Sequence, residues 1–297
     1  MKKIALALAA LAAVSCGAQR KTVSDNKSDV SPVESVTAVK SAASAETGKV
    51  AFALSLFNAS LSGKSLSANV VVSPYSAGMA LSMLAEGASG QTKEELTSAL
   101  NHASFAGDKL KGDKSCQLSS ANSIWLRDGF SVLPAYKSLL TGSYSAEINS
   151  RDFSSPATVK EINRWCSDKT NRRIPEIIDE ISPEMVMFIL NALYFKAPWE
   201  YQFDKNSTIK DTFHSPSGDQ EVDFMRIKRQ FSCAEYEGGR FVILPYKGDA
   251  WQMMICLPDE GADIQKLVSS VSSEMFSKAV AGAEYREVAL SMPKFKI

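Results

Sequence analysis

The chain has 297 residues, 45% hydrophobic and 22% charged, which allows one large globular domain or two ordinary ones with a sizeable core. Lys plus Arg and Asp plus Glu both number 33, so the formal net charge is zero and no long run of one sign occurs. A dedicated nucleic-acid surface needs clustered Lys and Arg, so nucleic acid is not expected as a partner; Arg172-Arg173 and Arg226-Ile227-Lys228-Arg229 read as solvated faces.

The N-terminus reads as a targeting segment. Lys2-Lys3 precedes an apolar stretch, residues 4–14, too short to span a bilayer. Small residues then lead into Cys16, the pattern of a bacterial lipoprotein cleavage site in which the thiol is acylated. Ordinary secretion with Cys16 incidental is the alternative. Residues 1–15 are therefore expected to be a signal peptide, and residues 16–45, without an aromatic, a lipid-anchored flexible tether. The expected location is outside the cytoplasm, anchored to a membrane through Cys16, with the membrane face open. The folded domain, residues 46–297, opens on an amphipathic helix carrying Phe52, Leu56 and Phe57.

Residues 69–90 read NVVVSPYSAGMALSMLAEGASG. A short β-branched run leads into Ser73-Pro74, a cap followed by Pro at the first helical position. The helix to about Glu86 is apolar nearly all round and carries Ser76, Gly78 and Ser82, so burial and close backbone approach are expected. Gly87 ends it, and Thr92 with Glu95 suggests a capping box for the next helix. Further on, FILNALYF reads as a central strand interrupted by Asn191. A buried Asn must find partners, since each unmet group costs about 1–3 kcal/mol. Residues 241–246 and 251–257 are apolar runs.

Chemistry-bearing motifs are sparse. Besides Cys16, Cys116, Cys166, Cys233 and Cys256 form no CxxC and no Cys/His cluster, so neither metal nor cofactor is expected. Cys256 reads as a buried free thiol, while the pairing of the others is open. His102 and His214 match no catalytic pattern, and no G-x-S-x-G elbow, P-loop or HExxH occurs. No catalytic residue is expected, and a hydrolase would need a convergent site.

The order of motifs resembles the serpins, a family that mostly inhibits proteases through a large conformational change. NVVVSPYSAGMALSMLAEGASGQTKEEL, ANSIWL, INRWCSDKTNRRIPEII, ILNALYFKAPWEYQF, LPYKGDAWQMMICLPDEG and VALSMPKFKI follow one another in family order. The resemblance implies a mixed α+β serpin fold: a helical N-terminal half, a large central, mostly antiparallel sheet, and a second sheet. It implies that Ser73, Ser76 and Asn191 form the shutter, the hydrogen-bonded cluster beneath the place where the main sheet parts. It implies that Trp199 marks the breach, the top of that sheet where strand insertion begins. Ala197-Pro198 stands where Gly is common in the family, which would alter the local turn.

A serpin presents a strained reactive-centre loop to a serine or cysteine protease, is acylated by it, and inserts the cleaved loop as a new strand. No reactive centre, hinge or inserting strand resembling the family's is found here. The expectation is a serpin incomplete at its C-terminus that does not inhibit by itself, in which the runs 241–246 and 251–257 pair with each other but leave an edge and an apolar face without their usual partners. A non-inhibitory binding or scaffold lipoprotein on the same framework is the alternative.

Overall fold

The computed structural model describes residues 32–61, 69–215, 218–236, 238–248, 250–262, 266, 268 and 271–296; in the first helix, side chains are described from Thr47 onward. Cys16 and the targeting segment lie outside the described residues. In chain order come α1 (Pro32–Leu61), α2 (Pro74–Glu86), α3 (Gly90–Ala99), β1 (Gln117–Arg127), α4 (Pro134–Ser143), β2 (Glu147–Arg151), α5 (Pro156–Lys169) and β3 (Met187–Lys196). A 3-10 turn at Lys205–Ser207 leads into β4 (Ile209–Ser215), β5 (Gly218–Tyr236), β6 (Gly239–Pro245), β7 (Gln252–Pro258), α6 (Ser273–Ala281) and β8 (Glu284–Pro293).

The first sheet has the order β2-β1-β3. β1 runs parallel to β2 and antiparallel to β3, and its register sets Asn122 directly opposite Asn191. Side chains alternate across β1 with period two. Ile124 and Leu126 join Met79, Met83, Phe52, Phe105 and Leu140 on the face covered by α2. Trp125 joins Phe153, Ile162, Trp165 and Cys166 on the face covered by α5. One strand thus anchors two cores, and β3 is the last strand on its side among the described residues.

In the second sheet β5 is the axis. At Phe224 it pairs with β4 and with β8, and at Ser232 and Cys233 with β6 and with β8. A residue has two edges, so β4 and β6 share one edge of β5 and β8 lies along the other. The expected pairing of the two apolar runs forms as β6 and β7, with Phe241 opposite Cys256. Val242, Leu244 and Ile255 face one apolar cluster with Phe231 and Met292. Phe241, Ile243 and Met254 face the other. β7 is the last strand on its side among the described residues.

Three local readings change. The backbone of α1 begins at Pro32, inside the stretch expected to be a flexible tether; Pro at the first position followed by several Ala favours helix there. The capping box of Thr92 and Glu95 does not form. α3 starts at Gly90 with φ +54, and Glu95 accepts a bond from Gln91 instead. α2 is not covered all round: Gly78, Met79, Ser82, Met83 and Ala85 are buried, but Leu84 is 39% exposed. Cys116, Cys166, Cys233 and Cys256 are all free thiols, and burial raises Cys256 to about 11.

Candidate functional site

The start of α2 is built as its sequence requires. Ser73 has extended backbone, and its hydroxyl accepts from the Ser76 amide at 3.4 Å and donates to Ser76 Oγ at 2.9 Å. Pro74 follows at the first helical position, where a missing N–H costs nothing. Ser73 is nevertheless exposed and Ser76 half-buried.

Asn191 lies in mid β3 on the α2 side of the sheet. Its Nδ2 donates to Asn122 Oδ1 at 2.8 Å and to Ser120 Oγ at 3.1 Å. Asn122, 5% exposed, passes the chain on by donating to the Tyr144 carbonyl at 2.7 Å. The Tyr144 hydroxyl in turn donates to Glu86, at the end of α2, at 3.3 Å. A line of polar groups therefore crosses from β3 through β1 to the ends of α4 and α2.

Burial of Ser76 and Asn191, with hydrogen bonds to backbone or to each other, is the expectation; both are half-buried, no bond joins them, and Asn191 Nδ2 also donates to the Ala121 carbonyl at 3.4 Å. The register explains the difference. Asn122 stands directly across from Asn191 and accepts its Nδ2 donor. The motif reading therefore missed Asn122 and Ser120, although Asn122 interrupts ANSIWL as Asn191 interrupts FILNALYF.

This network is incompletely satisfied. Asn191 Oδ1 and Ser82 Oγ are shielded from solvent and meet no partner among the described residues. The Tyr75 hydroxyl faces Ser120 without a hydrogen bond of good geometry. Burial raises the Tyr75 phenol to about 12, with Ser120 acting in the opposite sense. Burial, and then Glu86, holds the Tyr144 phenol well above its ordinary range. Amides, hydroxyls and protonated phenols can exchange hydrogen bonds.

Trp199 stands where the first sheet meets the second. Its ring stacks on Tyr246 at 4.4 Å and 10° and meets Phe203 edge-on at 6.5 Å. Phe195, at the end of β3, is edge-on to both Tyr246 and Trp251. The backbone ties the same junction, with Glu200 N–H on Pro245 O at 3.0 Å and Lys247 N–H on Pro198 O at 2.9 Å. Below Trp199 opens a groove of about 360 Å³, lined by Met225, Met253, Met292 and Phe295. Neither histidine joins this region: His102 is exposed with φ +57, and His214 bonds Asp219 at 2.7 Å on the β4–β5 hairpin.

Comparison with known proteins agrees with this architecture. The family model described as serpin, serine protease inhibitor, matches residues 47–297. An uncharacterized serpin-like protein of Thermococcus kodakarensis is 33% identical over 242 residues, covering 77% of this chain and 57% of that protein. A serine protease inhibitor of Cyanea capillata is 33% identical over 252 residues, covering 77% and 66%. The chain thus spans about three-fifths of the length of these relatives. Among solved structures, the thermophilic serpin tengpin in its native state superposes with a TM-score of 0.77 at 28% identity, covering 91% of this chain and 69% of that one. With the family model spanning the folded region, and helices and sheets that superpose on its solved members, the chain belongs to the serpin family.

Proposed function

We propose that this chain is the framework of a protease inhibitor that works by strand insertion, acting on a serine or cysteine protease outside the cytoplasm. The observation that carries the reading is the state of β3. Among the described residues it is an apolar strand with no partner on its outer side, and beneath it a polar network retains a shielded acceptor, Asn191 Oδ1, without a donor. Unpaired backbone groups accept another strand, and an unmet side-chain acceptor is satisfied by a donor arriving with it. Ser73, Ser76 and Asn191 then serve as the shutter, with Asn122 and Ser120 as the partners Asn191 exchanges. Trp199 serves as the breach, holding the top of β3 against the β6–β7 turn.

Inhibition is tested on the product of the whole reading frame, established by sequencing DNA beyond the Ile297 codon. Incubated with a panel of serine and cysteine proteases, that product is expected to give a covalent adduct that survives SDS. Cleavage without an adduct overturns the inhibitory reading, and reversible capture without cleavage favours a non-inhibitory binding lipoprotein. Turnover of generic ester or peptide substrates favours a hydrolase instead.

The place of action rests on Cys16. Acylation at that thiol anchors the chain only if several acyl chains are added, because one binds a bilayer weakly. Cys16→Ala is expected to move the protein from the membrane fraction to the soluble fraction, or to block maturation. Unchanged membrane association overturns the lipoprotein reading.

A further inference from the structure

The chain enters β1 through a turn pinned by one carboxylate. Asp113 Oδ1 accepts from the Ser115 and Cys116 amides at 2.6 and 2.8 Å, and the Asp113 amide donates to the Cys116 carbonyl at 2.9 Å. A Cβ on Gly112 would collide with that carbonyl, so the turn closes tightly. Gln117 follows as the first residue of β1, opposite Lys196 at the end of β3.

The other carboxylate oxygen faces a second turn. An ideal Cβ on Gly248, between β6 and β7, would lie 2.9 Å from Asp113 Oδ2 and 3.5 Å from Ser115 Cβ. Gly248 holds φ +96, so the bend and the approach of Asp113 both require glycine there. Two residues earlier, Tyr246 stacks on Trp199. Its phenol is pushed up to about 12 by burial and then by Cys116, whose buried thiol therefore lies close to it. The two turns thus meet twice, with Asp113 on Gly248 at the surface and Cys116 beside Tyr246 below.

We propose that Asp113 is a positioning residue of the breach: by fixing the turn ahead of β1 it locks that turn against the β6–β7 turn and so holds Tyr246 against the Trp199 ring. The proposal rests on Trp199 marking the breach, and it names a contact that is released when the sheet parts there. A strand added beside β3 needs a space about 4.8 Å wide. β1 and β3 are paired from Gln117 to Leu126, so they shift together and carry the Asp113 turn with them. Tyr246 and Gly248 belong to the second sheet. Asp113 and Gly248 therefore stand on opposite sides of that movement, and their lock resists it.

The test perturbs one turn and reads the other. Hydrogen exchange at the Glu200 and Lys247 amides, which donate to Pro245 and Pro198, reports the Trp199 side. Alkylation of Cys116, located by peptide mass spectrometry, reports the Asp113 side. In Asp113→Ala the two amides are expected to exchange about 10-fold faster. Asp113→Asn keeps the Oδ1 acceptor and is expected to stay within about 3-fold of the unmodified protein. In Gly248→Ala the added methyl displaces the carboxylate, and Cys116 is expected to be alkylated about 10-fold faster. The buried thiol of Cys166 and the Ile124 amide in β1 are controls expected to change by less than about 2-fold. Effects confined to the altered turn, equal acceleration at the controls, or an Asp113→Asn as loose as Asp113→Ala each overturn the proposal. Should Asp113→Ala fail to fold, Gly248→Ala decides through Cys116. No protease enters these measurements, so their outcome is separate from whether an inhibitory adduct forms.

Discussion

Replacing Asn122 by Leu is expected to lower the unfolding free energy by about 2–4 kcal/mol. Asn122 is 5% exposed and makes two bonds that Leu cannot. The Tyr144 carbonyl loses its donor at 2.7 Å, and an unmet buried acceptor costs about 1–3 kcal/mol. Asn191 loses its 2.8 Å acceptor but keeps Ser120, so that loss is nearer the net worth of one hydrogen bond, about 0.5–1.5 kcal/mol. Urea denaturation with an unchanged m-value measures the sum.

Asn122→Asp separates the two roles through pH. The introduced carboxylate still accepts from Asn191 but meets the Tyr144 carbonyl with negative charge. Burial and that carbonyl both raise its folded pKa above the unfolded value of about 3.9. The folded state then binds more protons than the unfolded state between the two pKa values. Stability of this variant therefore rises as pH falls through the folded pKa, where the protonated acid can donate to Tyr144. A variant no more stable at pH 4 than at pH 7, relative to the parent at each pH, shows that the Tyr144 bond matters little.

The second large effect is steric. An ideal Cβ on Gly78 lies 2.3–2.7 Å from three atoms of the Phe105 ring. Phe105 is 3% exposed and wedged edge-on between Phe52 at 6.0 Å and Tyr75 at 6.1 Å, so the ring has little room to retreat. Gly to Ala within a helix ordinarily gains about 1 kcal/mol. Here Gly78→Ala is expected to cost about 1–3 kcal/mol net, as overpacking does, or roughly 2–4 °C of Tm for each kcal/mol. Phe105→Leu in the same chain should recover part of that loss, a coupling a double-mutant cycle reads directly. An unchanged midpoint in Gly78→Ala shows that the ring moves freely.

The sequence is legible where the physics is local. Ser73 caps α2 because its acceptor and the Ser76 amide are three residues apart, a relation that any helix start enforces. Phe52 and Phe57 point inward because the helical period puts them there, and both are under 9% exposed. Even local rules compete, however: Glu95 is within reach of both Thr92 and Gln91, and Gln91 takes it.

The candidate site is legible only in part, because its bonds join distant segments. That Asn191 needs partners follows from an apolar strand. That Asn122 supplies one depends on the β1–β3 register, which no motif encodes. Trp199 marks itself by size, but its stack on Tyr246 is set by where the β6–β7 turn meets the end of β3. Asn163 looks like one more polar residue on an amphipathic helix; that it binds the Ile177 and Ile178 backbone depends on how the chain after α5 folds back over it.

The second sheet also dictates a sequence of events in time. β5 has one long edge whose ladder from Phe224 to Cys233 is completed only by β8. Tyr236 closes β5 and Glu284 opens β8. At a synthesis rate of ~5–20 residues per second, that edge waits roughly 2–10 s for its partner to emerge. Contacts this far apart in sequence also form slowly once both strands exist. A nascent chain held at this stage offers Met225, Ile227 and Phe231 beside unpaired amides and carbonyls, the template on which a second nascent copy can pair. Holding factors that bind extended apolar segments are thus most needed between the completion of β5 and the arrival of β8.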